Sequence, residues 1–96
     1  MESGGPFAKS NMYYVYIIES ESDTRWYIGY SENLETRIAD HNNNRSKYTR
    51  NKGPWKLIFK MSFVQKTEAL KFERKLKKLK NKNYIKSNFL EYFIEV

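Results

Sequence analysis

The stretch Tyr14–His41 reads YVYIIESESDTRWYIGYSENLETRIADH, and the rest of the chain is organised around it. Tyr14-Val15-Tyr16 is followed, after ten residues, by Tyr27-Ile28-Gly29. From Met12 to Ile18 the residues are mostly β-branched and aromatic, which favours a strand. Alternation puts Tyr14, Tyr16 and Ile18 on one face and Tyr13, Val15 and Ile17 on the other. Glu19 to Arg25 is polar and reads as a loop, and Trp26 to Tyr30 as a second short strand. A hairpin folded near the middle of that loop sets Tyr16 roughly opposite Tyr27. Gly29 marks a bulge or a close approach by another group.

Outward from the hairpin, Asn33 is an N-cap for a helix to about Asn43. At 100° per residue, Leu34, Arg37, Ile38 and His41 share one arc. The face that should bury Leu34 and Ile38 therefore carries an arginine and the chain's single histidine. Asn42 to Pro54 is a basic polar loop with Lys47, Tyr48 and Arg50. Trp55 to Phe63 is a third strand, with Trp55, Leu57, Phe59, Met61 and Phe63 on one face. Thr67 caps a second helix, Glu68 to about Lys80, whose buried arc contains Ala69, Leu70, Phe72, Leu76, Leu79 and, among them, Glu73. The tail from Asn83 has helical spacing at Ile85, Phe89 and Tyr92/Phe93, as a third helix or a short helix plus a strand. Residues 1–11 carry Gly4, Gly5 and Pro6 without periodicity and read as a disordered leader, native or left over from cloning. The expected architecture is α+β: one domain over 12–96, a three-stranded antiparallel sheet flanked by helices in the order β-β-α-β-α, with a C-terminal helix.

Ninety-six residues leave room for one small core and no separate recognition domain. The net charge of +7 favours an anionic partner, nucleic acid before membrane. No apolar run approaches the roughly 20 residues of a membrane span. Nothing at the start resembles a signal peptide, so the expected location is cytoplasmic. Cysteine is absent, which removes disulfides and thiolate metal sites. From Lys66 to Lys86 there are nine basic residues against two acidic ones, more than solubility requires. Lys71, Arg74 and Lys75 are therefore candidate contacts for a nucleic-acid backbone.

Each unusual residue also has an ordinary reading. Arg37 can snorkel from the edge of its helix, His41 can be a core hydrogen-bonder, and Glu73 can pair with Lys77 at i,i+4. Strand tyrosines are usually packing. Together, two basic groups beside two tyrosines suit a phosphate better than a core. A carboxylate among apolar residues has to be paired or bound to metal.

On these motifs the chain resembles the GIY-YIG nuclease superfamily, and within it the small stand-alone UPF0213/YhbQ-like proteins. The resemblance rests on Tyr14-Val15-Tyr16, Tyr27-Ile28-Gly29, the helix with Leu34, Arg37 and His41, Lys47-Tyr48-Thr49-Arg50, Pro54 to Leu57, and Glu68-Ala69-Leu70 with Glu73. It implies a metal-dependent endonuclease acting on DNA, with RNA as the other candidate and DNA repair among the roles open to it. Low sequence specificity and structure- or single-strand-directed cutting are expected. In that reading Tyr16 and Tyr27 position or deprotonate water, with Tyr16 slightly favoured as the base. Arg37 stabilises phosphate charge, His41 assists, and Glu73 holds one Mg²⁺ or Mn²⁺. Tyr48, with Lys47 and Arg50, contacts the strand. No small-molecule cofactor is expected, and the chain should be a monomer or weak dimer. Two departures stand out. Tyr30 occupies the place of a lysine found in some members, and neither Asn81 nor Asn83 falls at the late-asparagine spacing. The alternatives are a non-catalytic nucleic-acid-binding module of the same fold and a basic protein-interaction adaptor.

Overall fold

Residues 12–94 are described by a computed structural model; the expected leader over 1–11 lies outside the described residues. The order of elements is β1 (Tyr13–Ser20), β2 (Trp26–Ser31), α1 (Leu34–Asn42), β3 (Trp55–Phe63), α2 (Lys66–Leu79), α3 (Lys82–Asn88) and a 3₁₀ turn (Leu90–Tyr92). The sheet runs β2-β1-β3, antiparallel throughout, so the α+β expectation holds. Its central strand is buried on both faces: Val15, Tyr16, Ile17 and Ile18 are all 1% exposed or less. That is why β1 reads as an apolar run rather than a clean alternation.

One face of the sheet is apolar. Val15 and Ile17 meet Phe59, Ala69, Leu76 and Ile85 there, beneath α2 and α3. Phe59 packs against Tyr92 and Phe93 with ring centroids 6.1 and 5.0 Å away, within the range of favourable aromatic pairs. The other face carries Tyr16, Ile18 and Trp55, covered by Leu34, Ile38, Leu57 and Tyr27. This second cluster is smaller because α1 has only nine residues.

Three local expectations change. The hairpin register pairs Tyr16 with Gly29 and Ile18 with Tyr27, two residues from the expected pairing. A slip of two keeps every side chain on its face. β3 does not present one apolar face along its length. Its register against β1 jumps between Ile17/Phe59 and Ile18/Leu57, so Ile58 is an extra residue in a bulge. Trp55 and Leu57 therefore pack on the α1 face, while Ile58 and Phe59 pack on the other. Finally, α2 starts at Lys66 with Gln65 as N-cap, and Thr67 lies inside the first turn. The tail is a short helix capped by Asn81, whose side chain accepts from Tyr84 N, and then a bridge from Phe93 to Phe59.

Candidate active site

The polar part of the α1 face is a buried hydrogen-bond chain. The Tyr16 hydroxyl lies 2.9 Å from His41 Nε2, and His41 Nδ1 lies 2.7 Å from Thr49 Oγ1. All three residues are 1% exposed. β1 supplies the tyrosine, the last turn of α1 the histidine, and the following loop the threonine. That loop is fixed from two sides. Trp55 donates its indole N–H to the Thr49 carbonyl at 3.1 Å. Asn42 accepts from Trp55 N at 2.6 Å and donates to its carbonyl at 3.1 Å, as a strand neighbour would. Asn33 caps α1 by accepting from Thr36 N, which sets the helix rotation that points His41 inward.

Gly29 is required by the same ring. A Cβ at position 29 would lie 2.6 Å from Cζ of Tyr16, and closer still to its hydroxyl oxygen. The expectation of a close approach at Gly29 is thus met, by the tyrosine of the opposite strand.

The electrostatics keep the chain neutral. Burial pushes the Tyr16 phenol far above its ordinary value; Tyr27 adds to this, Arg37 opposes it and Glu73 adds again. Burial also holds His41 below its usual 6.5, helped by Arg37 and opposed by Asp40. With both nitrogens engaged, neutral His41 donates through one and accepts through the other. Tyr16 and Thr49 each have a hydroxyl that satisfies either tautomer.

Tyr27 stands beside this chain, its ring 5.0 Å from His41 and 6.4 Å from Tyr16. It is half-buried where Tyr16 is closed off. Arg37 is exposed rather than centred on the buried arc, because Leu34, Ile38 and His41 already fill the contact with the sheet. It lines an open cavity of about 320 Å³ with Tyr30, Ser31, Asn33 and Asp40. Glu73 approaches from α2, across the sheet. Its side chain is 16% exposed and its Oε2 lies 3.0 Å from Lys77 Nζ, the i,i+4 pair of the ordinary reading. Its charge still registers at both Tyr16 and Tyr30. Tyr30 is pushed up to about 12, first by burial, then by its hydrogen bond to Glu32. Lys66 Nζ lies 5.9 Å from the Tyr30 ring centroid.

The expected nucleic-acid contacts divide into two groups. Lys47, Tyr48 and Arg50 are exposed on the loop after α1, Tyr48 to 70%. Lys71, Arg74 and Lys75 are exposed on α2. Lys71 pairs loosely with Glu68 at 4.0 Å, and Lys75 sits 5.9 Å from the Phe89 ring centroid. The structure does not gather the two groups, since α1 and α2 cover opposite faces. Sequence reasoning missed Thr49 as the second partner of His41. It stands in the Lys47-Tyr48-Thr49-Arg50 motif, whose ring and two cations draw attention to strand contact instead. Asn81, weighed as the late asparagine, is a helix cap.

A family model described as the GIY-YIG catalytic domain matches residues 12–86. The chain belongs to the GIY-YIG catalytic domain family. Among curated relatives of this GIY-YIG chain is the UPF0213 protein BH0048 of Halalkalibacterium halodurans, 40% identical over 68 residues, covering 70% of this chain and 71% of that one. A UPF0213 protein of Lactococcus lactis subsp. cremoris is 36% identical over 95 residues, covering 88% and 95%. The solution structure of the UPF0213 protein BH0048 from Bacillus halodurans matches with a TM-score of 0.53 and 34% identity, over 84% of this chain and 86% of that one. The GIY-YIG triplets are thus Tyr14-Val15-Tyr16 and Tyr27-Ile28-Gly29, adjacent strands in the sheet. Among the described residues no helix is long and apolar enough to cross a membrane.

Proposed function

We propose that this chain is a metal-dependent endonuclease that hydrolyses phosphodiester bonds in DNA, directed by single-stranded or branched structure rather than by sequence. The observation that carries the reading is the buried Tyr16–His41–Thr49 chain placed against Tyr27, with Arg37 in the adjoining cavity. A structural core has little use for three polar side chains tied end to end beside an exposed guanidinium. A held phenol, a neutral proton acceptor and a cation for phosphate charge together suit a phosphoryl-transfer site.

Tyr27 is the phenol open to substrate and water. Tyr16 and His41 hold a proton between them at the phenol oxygen and Nε2, and Thr49 fixes the ring. Arg37 binds and neutralises a non-bridging phosphate oxygen. Lys66, beside Tyr30, takes the place of the lysine that some family members carry in the polypeptide at that position.

The donor set fits a divalent ion in one mode. Among the described residues no three His, Cys, Asp or Glu side chains come together, so an all-protein cage is excluded there. A single carboxylate with water and substrate phosphate is a normal site for Mg²⁺. Glu73 is such a carboxylate and would hold the ion; here its partner is the half-exposed Lys77 at 3.0 Å. The ion would supply Lewis-acid stabilisation of the phosphate and leaving oxygen.

The test is cleavage of labelled single-stranded, duplex and branched DNA, with RNA in parallel, in Mg²⁺ or Mn²⁺. Wild type should cut, EDTA and Glu73→Gln should each abolish cutting, and Arg37→Ala should lower the rate by about 100-fold or more. Binding of every substrate with no cutting would establish the non-catalytic module instead.

A further inference from the structure

A second concavity, outside the cluster just described, opens between β2 and the corner where α2 turns into α3. Its volume is about 410 Å³, inside the roughly 300–1,000 Å³ range of small-ligand pockets. The floor is apolar: Trp26, Ile28, Leu76 and Ile85. The rim is cationic: Arg25, Lys77, Lys80 and Lys82. No carboxylate is among the lining residues.

The rim is assembled from three parts of the chain. Lys77, in the last turn of α2, is accounted for by the helix dipole. Arg25 comes from the β1–β2 loop, where its Nε pairs with Asp23 at 2.8 Å, and Lys82 comes from the start of α3, where the dipole does not account for it. Lys82 is held in place, donating to the Thr24 carbonyl at 2.8 Å with its ammonium 5.1 Å from the Trp26 ring centroid. Lys80 is the most telling. It ends α2 in the left-handed conformation, with φ of 50°, where glycine is the favoured residue. A long cation stands there instead, with no ion pair among the described residues. An apolar floor with a cationic rim matches a ligand that is flat and apolar at one end and anionic at the other.

We propose that this pocket seats one nucleotide of the bound strand, its base on the Trp26–Leu76 floor and its phosphate on the Lys80–Arg25 rim. The inference deepens the nuclease reading and rests on it for the direction of the strand. Two links join the sites: Tyr27 borders the pocket on edge strand β2 while its ring flanks His41 on the opposite face, and Lys77 on the rim pairs with Glu73. The pocket and Arg37 lie on opposite faces of the sheet, so a strand bound at both would pass around the edge strand β2. The lysines over Trp26 then act as a clamp that exchanges indole contact for phosphate contact.

The experiment is an NMR titration of the wild-type chain, without metal, with thymidine 5′-monophosphate. Thymidine and inorganic phosphate serve as separate probes. The expected result is saturable movement of the Trp26 indole signal and of the Lys80–Lys82 amides, with the nucleotide binding more tightly than either fragment. Lys80→Glu and Arg25→Glu should each weaken it by about tenfold, the scale of one charged hydrogen bond. Lys60→Glu, the same charge change on β3, should leave it alone. Equal weakening by all three variants, equal affinity for inorganic phosphate, or a stationary Trp26 signal would overturn the assignment. If wild type proves unable to cut any nucleic acid yet the titration succeeds, the nuclease reading falls and the nucleotide pocket stands. If wild type cuts and the titration fails, the pocket alone falls.

Discussion

The two faces of the sheet do different work with similar residues. On the α2 and α3 face, aromatic rings pack on one another: Phe63 on Phe72, Phe72 on Phe89, Phe59 on Phe93. On the α1 face, the aromatic rings are Tyr16, Tyr27 and Trp55, and two of these three donate or accept a buried hydrogen bond. The first face has many interchangeable contacts, so it stabilises. The second has few contacts with fixed partners, so it specifies positions. This small chain separates an aromatic packing face from a hydrogen-bonded polar face across one strand, β1.

That division can be tested most severely at Phe59. Phe59→Ala, at a site with no exposure, should cost about 3–5 kcal/mol by urea unfolding. A loss no larger than that of a variant on the α1 face would erase the contrast. Gly29→Ala should come next, at about 1–3 kcal/mol, because the new methyl group displaces the Tyr16 ring. Its signature is a larger effect on the His41 imidazole resonances than on the Phe59 surroundings.

Thr49→Val follows, at about 1–2 kcal/mol, since it leaves a buried imidazole nitrogen without a partner. The pH dependence sharpens the picture further. His41 in the folded chain is held below its ordinary 6.5, so its contribution is present above that pH. It is lost as pH falls below 6.5 toward the folded value. Thermal unfolding of wild type should weaken over that interval, and His41→Gln should remove most of the slope. The smallest effect belongs to the surface. Lys71→Ala, breaking a 4.0 Å pair between exposed groups, should change stability by less than about 0.5 kcal/mol.

The strand and helix order was legible because each element announces itself locally: β-branched and aromatic residues in β1, Asn33 before α1, helical spacing in α2. Which side chains would meet was less so. The Ile58 bulge inverts the phase of β3 halfway along, and one extra residue in a run of nine leaves no mark in composition. Arg37 and His41 share an arc on the helical wheel, but the wheel carries no information on how deep α1 sits. Leu34 and Ile38 set that depth, and they admit His41 while leaving Arg37 outside. Thr49 was illegible because its partner lies eight residues away through an irregular loop with no period to follow. The Glu73–Lys77 pair, by contrast, is the plain consequence of i,i+4 spacing.

The Tyr16 ring over Gly29 has a consequence for how this domain can vary. A side chain at 29 would occupy the volume of the Tyr16 ring, so position 29 cannot grow while Tyr16 keeps its place. In a randomised library covering both sites, single replacements at 29 should be depleted, and side chains larger than alanine there should be found mostly with a shorter residue at 16. Such survivors would have surrendered the phenol. The two triplets are therefore a single mechanical part, and a lineage that gained a bulky side chain at 29 would keep its shape only by giving up the Tyr16 ring.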